Sequence, residues 1–336
     1  MKQNKYMKLH FIRTTTYFIF LFALLILFSC SENRKDGSPK PPKGYMNETT
    51  LKISAFFGGL ELIETKVAVP NDIVEYKDVV YKTLDSTELK LDIYHSKNMS
   101  SSAPLLVFIH GGYWRKGDKQ DYMPYLIPFA QKGYVTATVQ YRFTDKATFP
   151  AQLLDIKSAI RWLKNNAEIY QIDSDKVALI GGSAGGHLAL MSAYTNDIAM
   201  YNEEEENKTS SRVQAIVDLY GPTDLTTDYT STEPSVVQLI GKDYSESPEL
   251  YLSASPLTYI TKDDPPTLIF QGTIDDLVPH TQSDKLNIKL EETGVPVYYH
   301  KLKGWPHAMD LSVKVNEYCQ YYMNQFFEEY IPINKK

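Results

Sequence analysis

Short apolar segments recur along the chain, and most of them are too short to form helices. Residues 105–109 are apolar at every position, and residues 135–139 are rich in β-branched side chains. Such segments are typical of strands that are buried on both faces of a sheet. The pattern predicts strands at residues 79–81, 89–94, 105–109, 135–139, 177–180, 215–219, 267–270 and 297–302, the first two pairing around a turn at Asp85 and Ser86.

Segments with helical spacing lie between the later strands. Apolar residues recur every three or four positions after Pro150, and residues 281–292 and the C-terminal segment show the same spacing. Strands that alternate with helices predict an α/β fold, with a mostly parallel central sheet that helices flank on both faces. The polar residues 222–255 interrupt this alternation, which predicts a lid-like insertion over the site.

The first residues have the features of a targeting segment. Lys2, Lys5, Lys8 and Arg13 precede an apolar stretch of about twelve residues at 17–28, which is the length of a signal-peptide core. The stretch ends in Leu27-Phe28-Ser29-Cys30, which resembles the lipobox of bacterial lipoproteins.

The resemblance predicts a lipoprotein signal peptide at 1–30, with lipidation of Cys30. A polar, proline-containing tether follows at 31–50 and a catalytic domain at 51–336. Lipid would anchor the protein in the bacterial cell envelope, either in the outer membrane or facing the periplasm. An uncleaved anchor and a signal without lipid are the alternatives.

The composition argues against some classes of binding partner. The 336 residues carry a net charge of −6 without a cluster of Lys and Arg, which argues against nucleic acid. No metal-ligand spacing, phosphate loop or dinucleotide fingerprint is present, so we expect neither a metal nor a cofactor. Cys319 lies on the apolar face of the C-terminal helix, where a buried, inert thiol is expected.

The candidate chemistry centres on Ser183. The predicted strand at 177–180 leads directly into Gly181-Gly182-Ser183-Ala184-Gly185, and helix-forming residues follow. A strand, a sharp Gly-x-Ser-x-Gly turn and a helix are what a nucleophile elbow requires. Ser183 is therefore the predicted nucleophile.

A serine hydroxyl needs a base and an acid that orients it. Of seven histidines, only His307 follows the last strand in the loop before the final helix, and the order Ser, acid, His is the one that such a fold uses. The loop after the strand at 267–270 offers adjacent carboxylates, of which Asp275 is the first choice and Asp276 the alternative. For His187 and His110, packing and bracing roles are predicted, and His280 either lines the site or lies on the surface.

Acyl transfer also needs hydrogen-bond donors for the negative oxygen that forms during the reaction. The strand at 105–109 ends in His110-Gly111-Gly112, where small residues allow the backbone to approach a substrate closely. The backbone amides of Gly111, Gly112 and Ala184 are the predicted donors.

Several segments together resemble a known family. Residues 109–119 and 181–189, with shorter segments across 74–327, are similar to the hormone-sensitive-lipase-like branch of the α/β-hydrolases. Within it, the bifunctional feruloyl and acetyl xylan esterases (BD-FAE type) are the most similar group. The resemblance implies the α/β-hydrolase fold and the same triad and oxyanion residues. Gln271 stands where His is common in the family and Asp276 where Pro is common. These departures concern the assignment of the catalytic acid, not the fold.

These observations predict a serine carboxylic ester hydrolase. By the resemblance, the substrates are short acyl or feruloyl esters of plant polysaccharides such as xylan, so the partner is a small ester or an acylated oligosaccharide. The alternatives are an arylformamidase-like amidase, because His-Gly-Gly-x-Trp also resembles that family, a peptidase of related fold, and a non-catalytic surface lipoprotein.

Overall fold

The structure, a computed structural model, describes residues 37–84, 87–202 and 209–334. The predicted signal peptide, with Cys30, and the turn at Asp85 and Ser86 lie outside the described residues. Residues 42–336 form one compact unit.

One sheet forms the centre of this unit, and every predicted strand is present. Its strands are β1 (Ile73–Leu84), β2 (Thr87–Ser96), β3 (Ala103–Ile109), β4 (Val135–Val139), β5 (Ile172–Gly182), β6 (Ala215–Leu219), β7 (Thr267–Gly272) and β8 (Val297–Leu302). They stand in the order β1-β2-β4-β3-β5-β6-β7-β8. Strand β2 pairs antiparallel with β1 and β4, and all other neighbours run parallel. This arrangement confirms the predicted mostly parallel sheet.

Helices lie between and beyond the strands. They are α1 (Glu48–Phe56), α2 (Met123–Gln131), α3 (Ala151–Asn165), α4 (Ala184–Tyr194), α5 (Asp228–Ser231), α6 (Pro234–Ile240), α7 (Pro248–Ser253), α8 (Thr281–Thr293) and α9 (Val313–Tyr330). Among the helices of the described ranges, none is both long enough and apolar enough to cross a bilayer.

A hydrophobic core lies on each face of the sheet, as the central strand β3 shows. All seven of its residues are buried. Because side chains alternate along a strand, Leu105 and Val107 pack with α3, α4 and α8, whereas Leu106 and Phe108 pack with α2 and α9. Helices therefore cover both faces, as predicted. Cys319 is fully buried in the second core, and burial raises its pKa well above the usual value, which agrees with an inert thiol.

The insertion predicted at 222–255 contains the short helices α5, α6 and α7. Val236 and Leu239 of α6 are buried, and the backbone oxygen of Leu239 accepts a hydrogen bond from Phe149 N at 2.8 Å. On its other side the Tyr229 hydroxyl donates to the backbone oxygen of Asp276. The insertion is thus attached to the loop that carries the candidate acid.

The tether predicted at residues 31–50 overlaps the compact unit. The compact unit begins at Pro42, and α1 begins at Glu48. Tyr45 N donates to the Gly304 oxygen at 2.8 Å, its ring packs edge-on against Trp305, and the Trp305 indole donates to the Pro42 oxygen. These aromatic and backbone contacts hold residues 42–47 against the loop that leads to His307.

Residues 60–69, which lie between α1 and β1, form a wall beside the same loop. Ile63 N donates to the Leu311 oxygen at 2.8 Å, and Val313 N donates to the Glu61 oxygen at 3.0 Å. An isolated antiparallel bridge joins Leu62 to Ser312. The segment therefore lies alongside residues 311–313, which follow His307 in the sequence.

Candidate active site

Ser183 lies in the sharp turn between β5 and α4. Its φ of 56° and ψ of −122° place it in a strained conformation that residues other than glycine rarely adopt. A side chain on Gly181 would come within 2.2 Å of the Gly185 oxygen, and one on Gly185 within 2.0 Å of the Ile109 oxygen. The two glycines therefore permit the turn, as the sequence predicts for a nucleophile elbow.

Three loops at the carboxyl ends of strands bring the predicted triad together. The Ser183 Oγ lies 2.9 Å from His307 Nε2, and His307 Nδ1 lies 2.8 Å from Asp275 Oδ2. When the Ser183 hydroxyl donates to Nε2, the imidazole proton sits on Nδ1 and points at the carboxylate. This geometry is that of an alcohol activated by a base whose orientation a buried acid fixes.

The structure selects Asp275 over Asp276. The Asp275 side chain is fully buried, and its Oδ1 accepts hydrogen bonds from Leu277 N at 3.0 Å and Val278 N at 2.8 Å. Its Oδ2 also accepts from Gln271 Nε2 at 3.1 Å. Gln271, the departure from the family pattern, thus supports the acid directly. Asp276 is exposed, and the carboxylate that His307 Nδ1 meets is that of Asp275.

The predicted oxyanion donors lie next to the nucleophile. A side chain on Gly111 would meet the Gly182 oxygen at 2.8 Å and Ser183 Cβ at 3.3 Å, so this loop touches the elbow. Gly112 has a φ of +110°. Within the described residues, the amides of Gly111 and Gly112 have no protein acceptor. Ala184 is the first residue of α4, where amides also lack a partner within the helix.

The other histidines have structural contacts. The buried His110 ring stacks on Tyr141, and its Nδ1 lies 2.8 Å from the Gly111 oxygen, so it braces the oxyanion loop as predicted. His187 is fully buried between Trp114 and the Ala254 oxygen, and burial lowers its pKa to about 4. It is therefore neutral near pH 7, in agreement with the predicted packing role. His280 contacts Asp284 and lies in neither cavity beside Ser183.

Asp310 is a residue that the sequence reasoning missed. It follows His307 by three positions, is buried, and accepts hydrogen bonds from the Tyr220 hydroxyl and, at 3.4 Å, from the Tyr125 hydroxyl. The Tyr220 ring packs edge-on against the His307 ring at 4.6 Å. Burial raises the pKa of Asp310, and the Tyr220 hydrogen bond opposes that rise. The one sequence feature that points to this cluster is the position of Asp310 three residues after His307.

Two cavities meet at Ser183. The smaller, of about 30 Å³, is lined by Trp114 and Ala184 and by apolar residues that include Val236 and Val278. The larger, of about 410 Å³, is lined by His307, Gly111 and Gly112. In the parts of the chain that the structure describes, no group of three or more His, Cys, Asp or Glu residues has metal-binding geometry.

Comparisons with known proteins agree with this geometry. A family model described as BD-FAE matches residues 91–290. The chain is 35% identical over 231 residues to the probable carboxylic ester hydrolase LipM of Mycobacterium tuberculosis, and the match covers 66% of this chain and 53% of LipM. The chain spans about half the length of the curated relatives that it matches.

Two solved structures are similar to this chain over 76% of its length. A truncated form of a carbohydrate esterase from gut microbiota superposes with a TM-score of 0.68 at 28% identity, over 76% of this chain and 95% of that chain. A bifunctional GH43-CE protein of Bacteroides eggerthii gives a TM-score of 0.68 at 27% identity, over 76% of this chain and 38% of that chain. These matches confirm the predicted fold.

Proposed function

Since the chain belongs to the BD-FAE family of α/β-hydrolases, we propose that it is a serine carboxylic ester hydrolase that removes short acyl groups from carbohydrate esters. The observation that carries this proposal is the hydrogen-bonded row Ser183, His307 and Asp275 beside the unpartnered amides of the oxyanion loop. Relatives named as a carboxylic ester hydrolase and a carbohydrate esterase support it.

The geometry supports a two-step acyl transfer. Ser183 Oγ attacks the ester carbonyl while His307 Nε2 takes its proton, and the amides at Gly111, Gly112 and Ala184 receive the negative oxygen. His307 then gives that proton to the leaving alcohol oxygen as the ester bond breaks. A water molecule, deprotonated by His307, attacks the acyl-serine and releases the acid and the free Ser183 hydroxyl.

The size of the smaller cavity favours short acyl groups. Its volume of about 30 Å³ is small and Val236 and Val278 contribute to its lining, which suits an acetyl methyl group. Feruloyl groups, also expected from the family resemblance, are much larger and would require the insertion that carries Val236 to move. We therefore place acetyl esters ahead of feruloyl esters as substrates.

A substrate panel tests the proposal. It consists of p-nitrophenyl acetate, methyl ferulate, acetylated xylan and N-formylkynurenine, each assayed with the intact protein and with Ser183→Ala. The proposal expects acetyl esters to be cleaved fastest and the variant to be inactive. Cleavage of N-formylkynurenine far ahead of every ester would instead favour the arylformamidase-like alternative. Absence of any hydrolysis would favour a non-catalytic lipoprotein.

We also propose that lipid on Cys30 anchors the protein in the bacterial cell envelope. The support is the sequence alone: an apolar stretch of signal-peptide length immediately before the cysteine. Mass spectrometry of the protein expressed with its own N-terminus in a bacterial host should find a lipidated Cys30 as the first residue. Cys30→Ala should carry no lipid, and a wild-type protein whose Cys30 is unmodified would contradict the proposal.

A further inference from the structure

A buried carboxylate, that of Asp310, lies beside the triad without being one of its members. The residue lines the same cavity as His307, and only 3% of it is exposed. Its Oδ1 accepts a hydrogen bond from the Tyr220 hydroxyl, and its Oδ2 accepts one at 3.4 Å from the Tyr125 hydroxyl. Both carboxylate oxygens therefore have a donor, which offsets the free-energy cost of burying the group.

The Tyr220 side chain connects this carboxylate to the base. Its hydroxyl donates to Asp310, and its ring lies against the His307 ring, with the centroids 4.6 Å apart and the planes at 61°. The hydroxyl bond holds the far end of the tyrosine, so the ring cannot turn away from His307 without breaking that bond. Aromatic pairs at this separation attract each other beyond the effect of the area that they bury. Asp310 is thus coupled to His307 through Tyr220.

Tyr220 supplies a constraint that the hydrogen bonds of the triad leave open. His307 Nε2 lies 2.9 Å from Ser183 Oγ and Nδ1 lies 2.8 Å from Asp275 Oδ2, which fixes the line through the two ring nitrogens. The imidazole can still tilt about that line, and a tilt weakens both hydrogen bonds because their angles become less favourable. The Tyr220 ring packs against the imidazole and limits this tilt.

The backbone is strained at two residues that set up this contact. Tyr220 has a φ of 48°, and Ala308, which follows His307, has a φ of 55°. Residues other than glycine rarely adopt such values, which persist only where the surrounding structure holds them. Tyr220 N donates to the Phe270 oxygen at 2.9 Å. Leu311 N donates to the Ala308 oxygen at 3.1 Å, so both strained turns are fixed by the fold.

Asp310 also places negative charge near the base. Burial raises the pKa of Asp310, whereas the Tyr220 hydrogen bond and, less strongly, the positive charge of His307 lower it. An ionised Asp310 therefore attracts the imidazolium that forms when His307 takes the Ser183 proton. An attraction that is stronger after the proton transfer than before it lowers the barrier of that step.

We propose that Tyr220 and Asp310 form a positioning pair for His307, which holds the imidazole in line with Ser183 and stabilises it while it is charged. Both residues act through His307 and not on the ester itself. The inference rests on the proposed function, because it assigns two further residues to the same ester hydrolysis. It adds a tyrosine and a second carboxylate to the groups on which the rate depends.

The test is the steady-state kinetics of full-length variants with p-nitrophenyl acetate. Asp310→Asn keeps an acceptor for the Tyr220 hydroxyl but removes the charge, so kcat should fall by about 10–100-fold, the effect of losing a hydrogen-bonded charge. KM should change by less than about twofold, because the loss falls on proton transfer and not on substrate binding. A folded Asp310→Asn with wild-type kcat would overturn the proposal.

Two substitutions at Tyr220 separate the hydroxyl from the ring. Tyr220→Phe keeps the ring but loses the bond to Asp310, so kcat should fall by about tenfold. Tyr220→Leu loses the aromatic ring as well, so its kcat should be lower than that of Tyr220→Phe. A wild-type kcat in Tyr220→Phe would overturn the proposed coupling.

Tyr299→Phe is the matched control. The Tyr299 hydroxyl also donates to a carboxylate, that of Asp284 at 2.8 Å, and the residue lines neither cavity at Ser183. This variant should keep kcat within about twofold of wild type. A loss of kcat equal to that of Tyr220→Phe would show a general effect of removing a tyrosine hydroxyl and would overturn the proposal.

A double-mutant cycle shows whether the pair acts through His307. Without the imidazole, the oxyanion donors and substrate binding still give some catalysis. Adding Asp310→Asn to His307→Ala should change this remaining rate by less than about twofold, since no imidazole is left to position. Tyr220→Phe takes the place of Asp310→Asn if thermal unfolding shows that the latter is not folded.

The outcomes of the cycle are distinct. A loss in the His307→Ala background as large as that in the wild-type background would mean general damage to the site and would overturn the positioning pair. A wild-type protein that hydrolyses no ester would overturn the proposed function itself.

Discussion

The Trp114 indole donates a hydrogen bond to His187 Nδ1 at 3.2 Å, which joins the loop after β3 to the helix that begins at the nucleophile. His187 Nε2 lies 2.7 Å from the Ala254 oxygen, so the same ring also reaches the end of the insertion. Both hydrogen bonds form when the ring is neutral and carries its proton on Nε2, because Nδ1 then accepts from Trp114 and Nε2 donates to the Ala254 oxygen. One buried imidazole therefore connects the oxyanion loop, the nucleophile helix and the insertion.

This buried imidazole should make stability depend on acid pH. The pKa of His187 is about 4 in the folded protein, and its reference value is 6.5. Between these values the unfolded chain binds a proton that the native state does not, so stability falls as the pH drops from 6.5 toward 4, by at most about 1.4 kcal/mol per pH unit. Urea unfolding at several pH values should show a shallower acid decline in His187→Gln than in wild type. Parallel curves would contradict the assignment.

A second buried group, Asp218, should lower the stability of the protein as the pH rises rather than as it falls. Asp218 is fully buried, its Oδ1 accepts a hydrogen bond from Gly221 N, and burial raises its pKa to about 8 from 3.8. Between these values the native state holds a proton that the unfolded chain has lost, so this group lowers stability progressively as the pH rises.

Asp218→Asn removes that titration and keeps an acceptor for Gly221 N. The free energy of unfolding of the variant relative to wild type should therefore increase between about pH 4 and pH 8. A difference that stays constant over this range would show that Asp218 is ionised in the folded protein.

The two neighbouring carboxylates should differ sharply in their effect on catalysis. Asp275→Asn leaves the side chain in place but removes the charge that orients and stabilises the His307 imidazolium, so kcat should fall by about 10³–10⁴-fold. Asp276→Asn is the matched control at an exposed position and should stay within about twofold of wild type. The measurement is steady-state kinetics with p-nitrophenyl acetate. A large loss of kcat in Asp276→Asn and a small one in Asp275→Asn would identify Asp276 as the acid instead.

The oxyanion loop should tolerate no side chain at Gly111. A methyl group there would stand 2.8 Å from the Gly182 oxygen and push the loop away from Ser183. Gly111→Ala should lower kcat by about 10²–10³-fold, the cost of losing one oxyanion donor, with a smaller change in KM. Circular dichroism and thermal unfolding separate this loss from misfolding. Wild-type kcat in a folded Gly111→Ala would place the oxyanion donors elsewhere.

The sequence predicted the strands, and it named the three residues that the structure joins by hydrogen bonds, because both have strong local signals. Strand β3 is a continuous, fully buried apolar run, the elbow directly follows the buried second half of β5, and His307 lies in the loop after β8. The choice between Asp275 and Asp276 was beyond the sequence, because it depends on which carboxylate turns inward to meet Leu277 N, Val278 N and Gln271.

Features that depend on contacts between distant segments were missed. Helix α1 buries none of its residues and carries little amphipathic pattern, so its position within the predicted tether had no apolar signal. Asp310 and Tyr220 are ninety positions apart, and only the fold brings their side chains together beside His307. The wall at residues 60–69 is likewise positioned by a backbone hydrogen bond between Ile63 and Leu311.

The central claim is that the Ser183 hydroxyl forms the bond to the acyl group. Its most direct test is the hydrolysis of p-nitrophenyl acetate by purified Ser183→Ala, whose folding is verified by thermal unfolding. The account predicts a loss of activity on the order of 10⁴-fold or more, with no acetyl group found on residue 183 by mass spectrometry of rapidly quenched protein. Hydrolysis by the folded variant at a rate near that of wild type would contradict it.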